Sequence, residues 1–185
     1  MVSGLGNGLR DCRNRALLLI GFAGAFRRSE LVAINIIDIE RAPEGIVITL
    51  RRSKTDQGGE GRRVGIPYAH GSVCPVKALD AWLAGSGIDG GPIFRPIDRH
   101  GHIGSNALSG EAVALIVKER AEAASLDPAL YSGHSLRAGL ATSAAIAGVP
   151  SWKIRGQTGH ASDAMLKRYI RDGELFAGNP VGAVL

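Results

Sequence analysis

Cysteine, aromatic residues and long apolar runs are all scarce in this chain of 185 residues, and each scarcity removes a class of protein. Two cysteines, Cys12 and Cys74, cannot build a disulfide framework or a structural zinc site, and they fit a reducing compartment. Neither HExxH nor CxxC occurs. His70, His100 and His102 lie in loop-like stretches with only Asp98 near the last two, which reads as solvated histidine and no metal centre. A serine-hydrolase elbow needs GxSxG, and "GHSLR" has Arg137 where glycine is required. "GGEGRR" lacks the GK[ST] of a phosphate loop, and the early "GLGNG" follows no strand, so no cofactor is indicated. No stretch approaches the roughly 20 apolar residues of a membrane span. The chain is therefore expected to be soluble, cytoplasmic and without a membrane partner.

What is present describes a folded domain. Hydrophobic residues make up 45% and charged residues 21%, and the length suits one domain of ordinary size. The formal net charge is +5, which favours a polyanionic partner without identifying one.

Residues 1–9 are Gly-rich and expected to be loose. From Arg10 to about Ala25 apolar residues dominate without strand alternation, which predicts a buried helix, and "RSELVAI" predicts a short second one with Ser29 as its cap. At "EGIVITLRRSKTDQGGEGRRVGIP" the period becomes two, predicting a β-hairpin with a Gly-rich tip. Helices are predicted from Pro75 to about Leu83, through "EAVALIVKERAEAASL", through "GHSLRAGLATSAAIAGV", at Ser151 to Gln157, and from about Ser162 to Ile170. The expected class is α+β, mostly helical with one small antiparallel sheet.

The remaining candidates are cations. His134 and Arg137 in "GHSLRAG" share one face at a helix start, where free N–H groups also favour an anion. Arg27 ends the first helix, Lys54 lies beside the hairpin, and His160 and Tyr169 stand nine residues apart in "GHASDAMLKRYI". Two arginines, two histidines, a lysine and a tyrosine, without a carboxylate pair, suit phosphoryl transfer through a tyrosine. A phosphodiester under attack gains negative charge on its non-bridging oxygens, and arginine forks match two oxygens at once. A phenol with pKa near 10 needs a base or nearby cations to attack at neutral pH.

Five segments in order resemble the catalytic domain of tyrosine recombinases, the phage integrase family: "RRSEL", "RRSKT", "HSLR", "TGH" and "RYI". The resemblance spans about residues 10 to 171. It implies a catalytic domain at residues 10–173 that cleaves and rejoins double-stranded DNA through a covalent 3′-phosphotyrosyl link, with neither metal nor ATP. By that resemblance Tyr169 is the nucleophile, Arg27 and Arg137 clamp the phosphate, and His160 is a third donor to it. Lys54 protonates the leaving 5′ oxygen, His134 assists proton transfer at the tyrosine, and Glu30 supports the site. Arg51, Arg52, Arg62, Arg63, Lys167 and Arg168 are expected to contact DNA. Family members usually carry an N-terminal DNA-binding domain, expected to be absent here because about ten residues precede the first helix. A tail at 174–185 is expected to pack on a neighbouring protomer. A tetramer on DNA is expected for the full-length form, and a monomer for this length without DNA. Two alternatives fit the same residues: a DNA-binding module or remnant without turnover, and a monomer of the type IB topoisomerase kind.

Overall fold

Alternation of Ile46, Ile48 and Leu50 with Val47 and Thr49 builds the sheet. In the computed structural model, which describes residues 1–51, 61–160, 162–166 and 169, β1 (Ile39–Ala42), β2 (Gly45–Leu50) and β3 (Arg62–Pro67) form an antiparallel sheet in the order β1-β2-β3. Register sets Ile46 opposite Ile66 and Ile48 opposite Val64, and all four are buried. A period of two gives them one common face against the helices. The two strands of the predicted hairpin are thus β2 and β3, and most of its Gly-rich tip lies outside the described residues. β1 was not foreseen, because "IERA" has no apolar alternation and joins by backbone pairing with β2. Gly45 at its turn is required by close approach: a Cβ there would lie 2.1 Å from the Ile66 carbonyl oxygen.

The described residues also form six α-helices: α1 (Leu9–Ala23), α2 (Arg28–Ala33), α3 (Pro75–Ser86), α4 (Gly110–Glu122), α5 (Ser135–Ile146) and α6 (Ser151–Thr158). Residues 163–166 and 169 are also helical. None of the described helices is long and apolar enough to cross a membrane. The mostly helical α+β class follows as expected.

α1 is the central helix. Ala16, Leu17 and Ile20 have no exposed surface and pack with Val76, Leu79 and Trp82 of α3. Full burial of each large side chain is worth about 1.5–3 kcal/mol. Trp82 keeps its polar end satisfied by donating from Nε1 to the Ile93 carbonyl at 2.7 Å. Residues 1–9, expected to be loose, contribute Leu5 to this core, and Arg120 Nε donates to the Met1 carbonyl. A second, smaller cluster of Ala141, Ala145, Ile154 and Leu166 joins α5, α6 and the following segment, with Tyr169 packed against it.

Candidate active site

α1 ends at Gly24, and the chain turns through Ala25, whose φ of 49° is unusual for a residue with a Cβ. That turn starts α2 at Arg27. The expected cap was Ser29; Arg27 is the N-cap residue instead, because Glu30 three positions on accepts its backbone N–H at 2.9 Å. The other oxygen of Glu30 accepts from Arg27 Nη1 at 2.5 Å. Glu30 is buried, so its charge is held by these partners.

Arg62 approaches the same carboxylate from the sheet. Its Nη2 is 3.6 Å from Glu30 Oε2, and its Nη1 donates to the Gln157 carbonyl at 2.5 Å. Burial, then the neighbouring Arg27, pushes its pKa down, while Glu30 opposes the shift. Sequence reading grouped Arg62 with Arg63 as DNA contacts, but the two face apart. The period of two in β3 gives Arg62 the face of Val64 and Ile66 and leaves Arg63 outside. That signal was present in the sequence; what Arg62 would meet inside was not.

Arg137 of α5 is 1% exposed. Its Nη1 donates to the Ala25 carbonyl at 3.0 Å and to the Thr158 carbonyl. Burial and then Arg27 push its pKa down to about 10, so it stays charged at neutral pH. Gly159 caps α6 with φ +66° and turns the chain so that His160 enters the cluster. His160 is buried, with Nδ1 2.7 Å from Thr158 Oγ1. Burial first, then Arg137, Arg27, His134 and Arg62, push its pKa down to about 4, so the ring is neutral at pH 7.

His134 is the N-cap residue of α5, and its Nε2 lies 2.8 Å from the Tyr169 hydroxyl. Burial, then Arg137 and Arg27, lower its pKa, which keeps the ring neutral and able to take a proton. The Tyr169 ring centroid is 6.4 Å from that of His134 and 5.9 Å from that of His160. A polar cavity of about 370 Å³ opens beside Arg27 and His134, lined also by Arg28, Ser29, Ser132 and Gly133. A larger one of about 460 Å³, among Phe22, Leu140 and Ile154, is apolar and carries one charged group, Lys153. It offers no set of groups for acid–base work.

The structure therefore brings together Arg27, Glu30, Arg62, His134, Arg137, His160 and Tyr169, from parts of the chain up to 142 residues apart (169 − 27). Arg51 and Arg63 stand elsewhere, largely exposed and paired with Asp38 and Glu40 at 2.6 Å each. Lys54, Arg52, Lys167 and Arg168 lie outside the described residues. Sequence reading quoted Thr158 only as the first letter of "TGH" and gave it no role. Among the described residues, no group of three or more His, Cys, Asp or Glu is placed to hold a metal. Among the described residues, the cluster sets three guanidiniums against one buried carboxylate, Glu30, and so holds a surplus of positive charge.

A sequence profile of the phage integrase family matches residues 6–174. An integrase/recombinase XerD homologue of Selenomonas ruminantium is 48% identical over 174 residues, covering 94% of this chain and 50% of that protein. The recombinase Cre of Escherichia phage P1 is 27% identical over 177 residues, covering 88% of this chain and 50% of its own. The chain thus spans about half the length of the curated relatives it matches. Among solved structures, the XerH site-specific recombinase bound to a palindromic difH substrate superposes with a TM-score of 0.70 at 20% identity, over 95% of this chain and 46% of that one. The Tn1549 transposon integrase in complex with transposon right end DNA gives 0.59 at 18%, over 84% and 53%. These two likenesses establish a shared fold.

Proposed function

The chain belongs to the phage integrase family, and from that premise we propose that it cleaves and rejoins strands of double-stranded DNA with Tyr169 as nucleophile. The Tyr169 oxygen attacks the scissile phosphorus, the bond from phosphorus to the 5′ oxygen breaks, and a 3′-phosphotyrosyl link forms. The phenolic proton passes to His134 Nε2, 2.8 Å away. The departing 5′ oxygen takes a proton, a role that the sequence resemblance gives to Lys54. Arg27, Arg137 and His160 stabilise charge on the non-bridging oxygens as it develops. A 5′-hydroxyl attacking the link reverses each step and restores the tyrosine. The link keeps the energy of the broken bond, so no ATP is consumed. Strand exchange takes place in a tetramer on DNA.

One observation carries the reading: the His134–Tyr169 contact lies among three guanidiniums, of Arg27, Arg62 and Arg137, that Glu30 balances only in part. An intact contact of this kind favours an enzyme over a remnant. The test uses a library of nicked duplexes in which the cleaved fragment diffuses away and traps the adduct. The wild-type chain should give a covalent protein–DNA product on a denaturing gel, and Tyr169→Phe should give none while still retarding DNA. An adduct from Tyr169→Phe, or none from the wild type on any duplex, would overturn the proposal.

A further inference from the structure

Thr158, the last residue of α6, has no exposed surface, and the strand-cleavage reading leaves its hydroxyl without a use. Its Oγ1 lies 2.8 Å from the Ile154 carbonyl oxygen, 3.4 Å from that of Arg155, and 2.7 Å from His160 Nδ1. A threonine hydroxyl has one hydrogen to give and lone pairs to accept with. A carbonyl oxygen has no hydrogen, so the 2.8 Å contact requires the hydroxyl hydrogen between the two oxygens. With that hydrogen committed, the 2.7 Å contact to the imidazole requires one from the ring.

We propose that Thr158 is a positioning residue that holds neutral His160 in the tautomer with its proton on Nδ1, leaving Nε2 bare. The hydrogen bond made by one ring nitrogen determines which nitrogen carries the proton. A bare Nε2 accepts; it cannot donate to a phosphate oxygen. His160 becomes a donor there only as the imidazolium, with Nδ1–H still bonded to Thr158. In the free protein that charge is opposed by burial and by Arg137 of α5, Arg27 at the start of α2, His134 at the start of α5 and Arg62 of β3. The Tyr169 ring also stands near the imidazole, with centroids 5.9 Å apart. A phosphodiester anion in the site offsets those guanidiniums, so DNA binding takes up a proton at His160. This consequence rests on the strand-cleavage reading; the tautomer does not.

The test begins without DNA. Long-range ¹⁵N–¹H correlation spectra of the histidine-labelled chain at neutral pH should show His160 protonated at Nδ1 and bare at Nε2. Thr158→Val should shift the ring towards the Nε2–H form, and Thr158→Ser, which keeps the hydroxyl, should preserve the wild-type pattern. A wild-type His160 protonated at Nε2, or a Thr158→Val spectrum like the wild type, would overturn the assignment. Should Thr158→Val fail to fold, the wild-type and Thr158→Ser spectra decide alone. Calorimetry on a cleavable duplex in buffers of different ionisation enthalpy then counts protons. The wild type should take up about one on binding and Thr158→Val roughly none, as protonation of one histidine requires. Equal uptake by the two refutes the linkage. Failure of strand cleavage itself would register separately, as absence of any covalent adduct while the tautomer remains measurable.

Discussion

Arg137 carries its charge where water does not reach it, and two backbone carbonyls hold its Nη1 in place. A lysine would keep the charge and lose the planar fork. Arg137→Lys should therefore slow single-turnover cleavage roughly a hundredfold or more, the scale of losing one preorganised donor, while DNA retention changes little. A near-normal rate would mean that other groups hold the phosphate. His160 makes a second prediction, on stability. Its pKa falls from 6.5 to about 4 on folding, so the unfolded chain binds the proton first as the pH drops. Stability is complete above pH 6.5 and is lost as the pH falls towards 4, by up to about 3 kcal/mol at 1.36 kcal/mol per unit. Denaturant unfolding across that window should show the loss, and His160→Gln should flatten it. The types of these residues and their order along the chain were legible in the sequence. The inward turn of Arg62 was legible only in part, as one side of a strand's alternation, and the partners of Thr158 not at all.

Among the elements, α6 and the turn after it decide how His160 enters the site. Gln157 Nε2 donates to the carbonyls of Ala23 at 2.8 Å and Gly65 at 3.1 Å, fastening α6 to the end of α1 and to β3. Gly159 then takes a left-handed conformation, and a Cβ there would lie 2.9 Å from three atoms of the Arg62 guanidine group. Gly159→Ala should lower stability by at least the roughly 1–2 kcal/mol of left-handed backbone, and it should slow cleavage by displacing Arg62 from Glu30. Gly156, three residues earlier inside α6, has nothing within 4 Å of its virtual Cβ. Gly156→Ala should be neutral or stabilising by up to about 1 kcal/mol. Thermal melts of the two variants provide the check; equal melting temperatures would refute the distinction. Periodicity and capping chemistry indicated most of the helices and the β2–β3 hairpin. β1 went unseen because strand pairing gave order to a segment with little pattern of its own.

Across the whole molecule, burial is uneven. Among the described residues, the main core draws on α1, α3, α4 and the sheet, whereas the cluster beneath Tyr169 has two alanines, Ile154 and Leu166 as its buried members. Small side chains remove little apolar surface from water, so this part should open at lower free energy than the rest. Hydrogen exchange should therefore be faster at α6 than at α1 and α3, whose slowest amides should exchange only by global unfolding. Uniform protection across all three helices would refute this division. The proposed nucleophile thus sits on the less firmly held part of the fold, where its approach to a substrate costs little reorganisation.

The sequence by itself determined the helical and strand periods, the order of the motif residues, and a chemistry that needs cations and a phenol. These depend on short-range preferences and residue types, which a linear reading can follow. Only the tertiary structure decided that Glu30 is shared by Arg27 and Arg62, that His134 meets Tyr169, and that Thr158 fills one side of His160. Contacts between residues far apart in the chain form when the core closes over α1 and fixes the distances between elements. The tautomer proposed for His160 is instead set locally, by the Thr158 hydroxyl two positions before it, which the end of α6 directs.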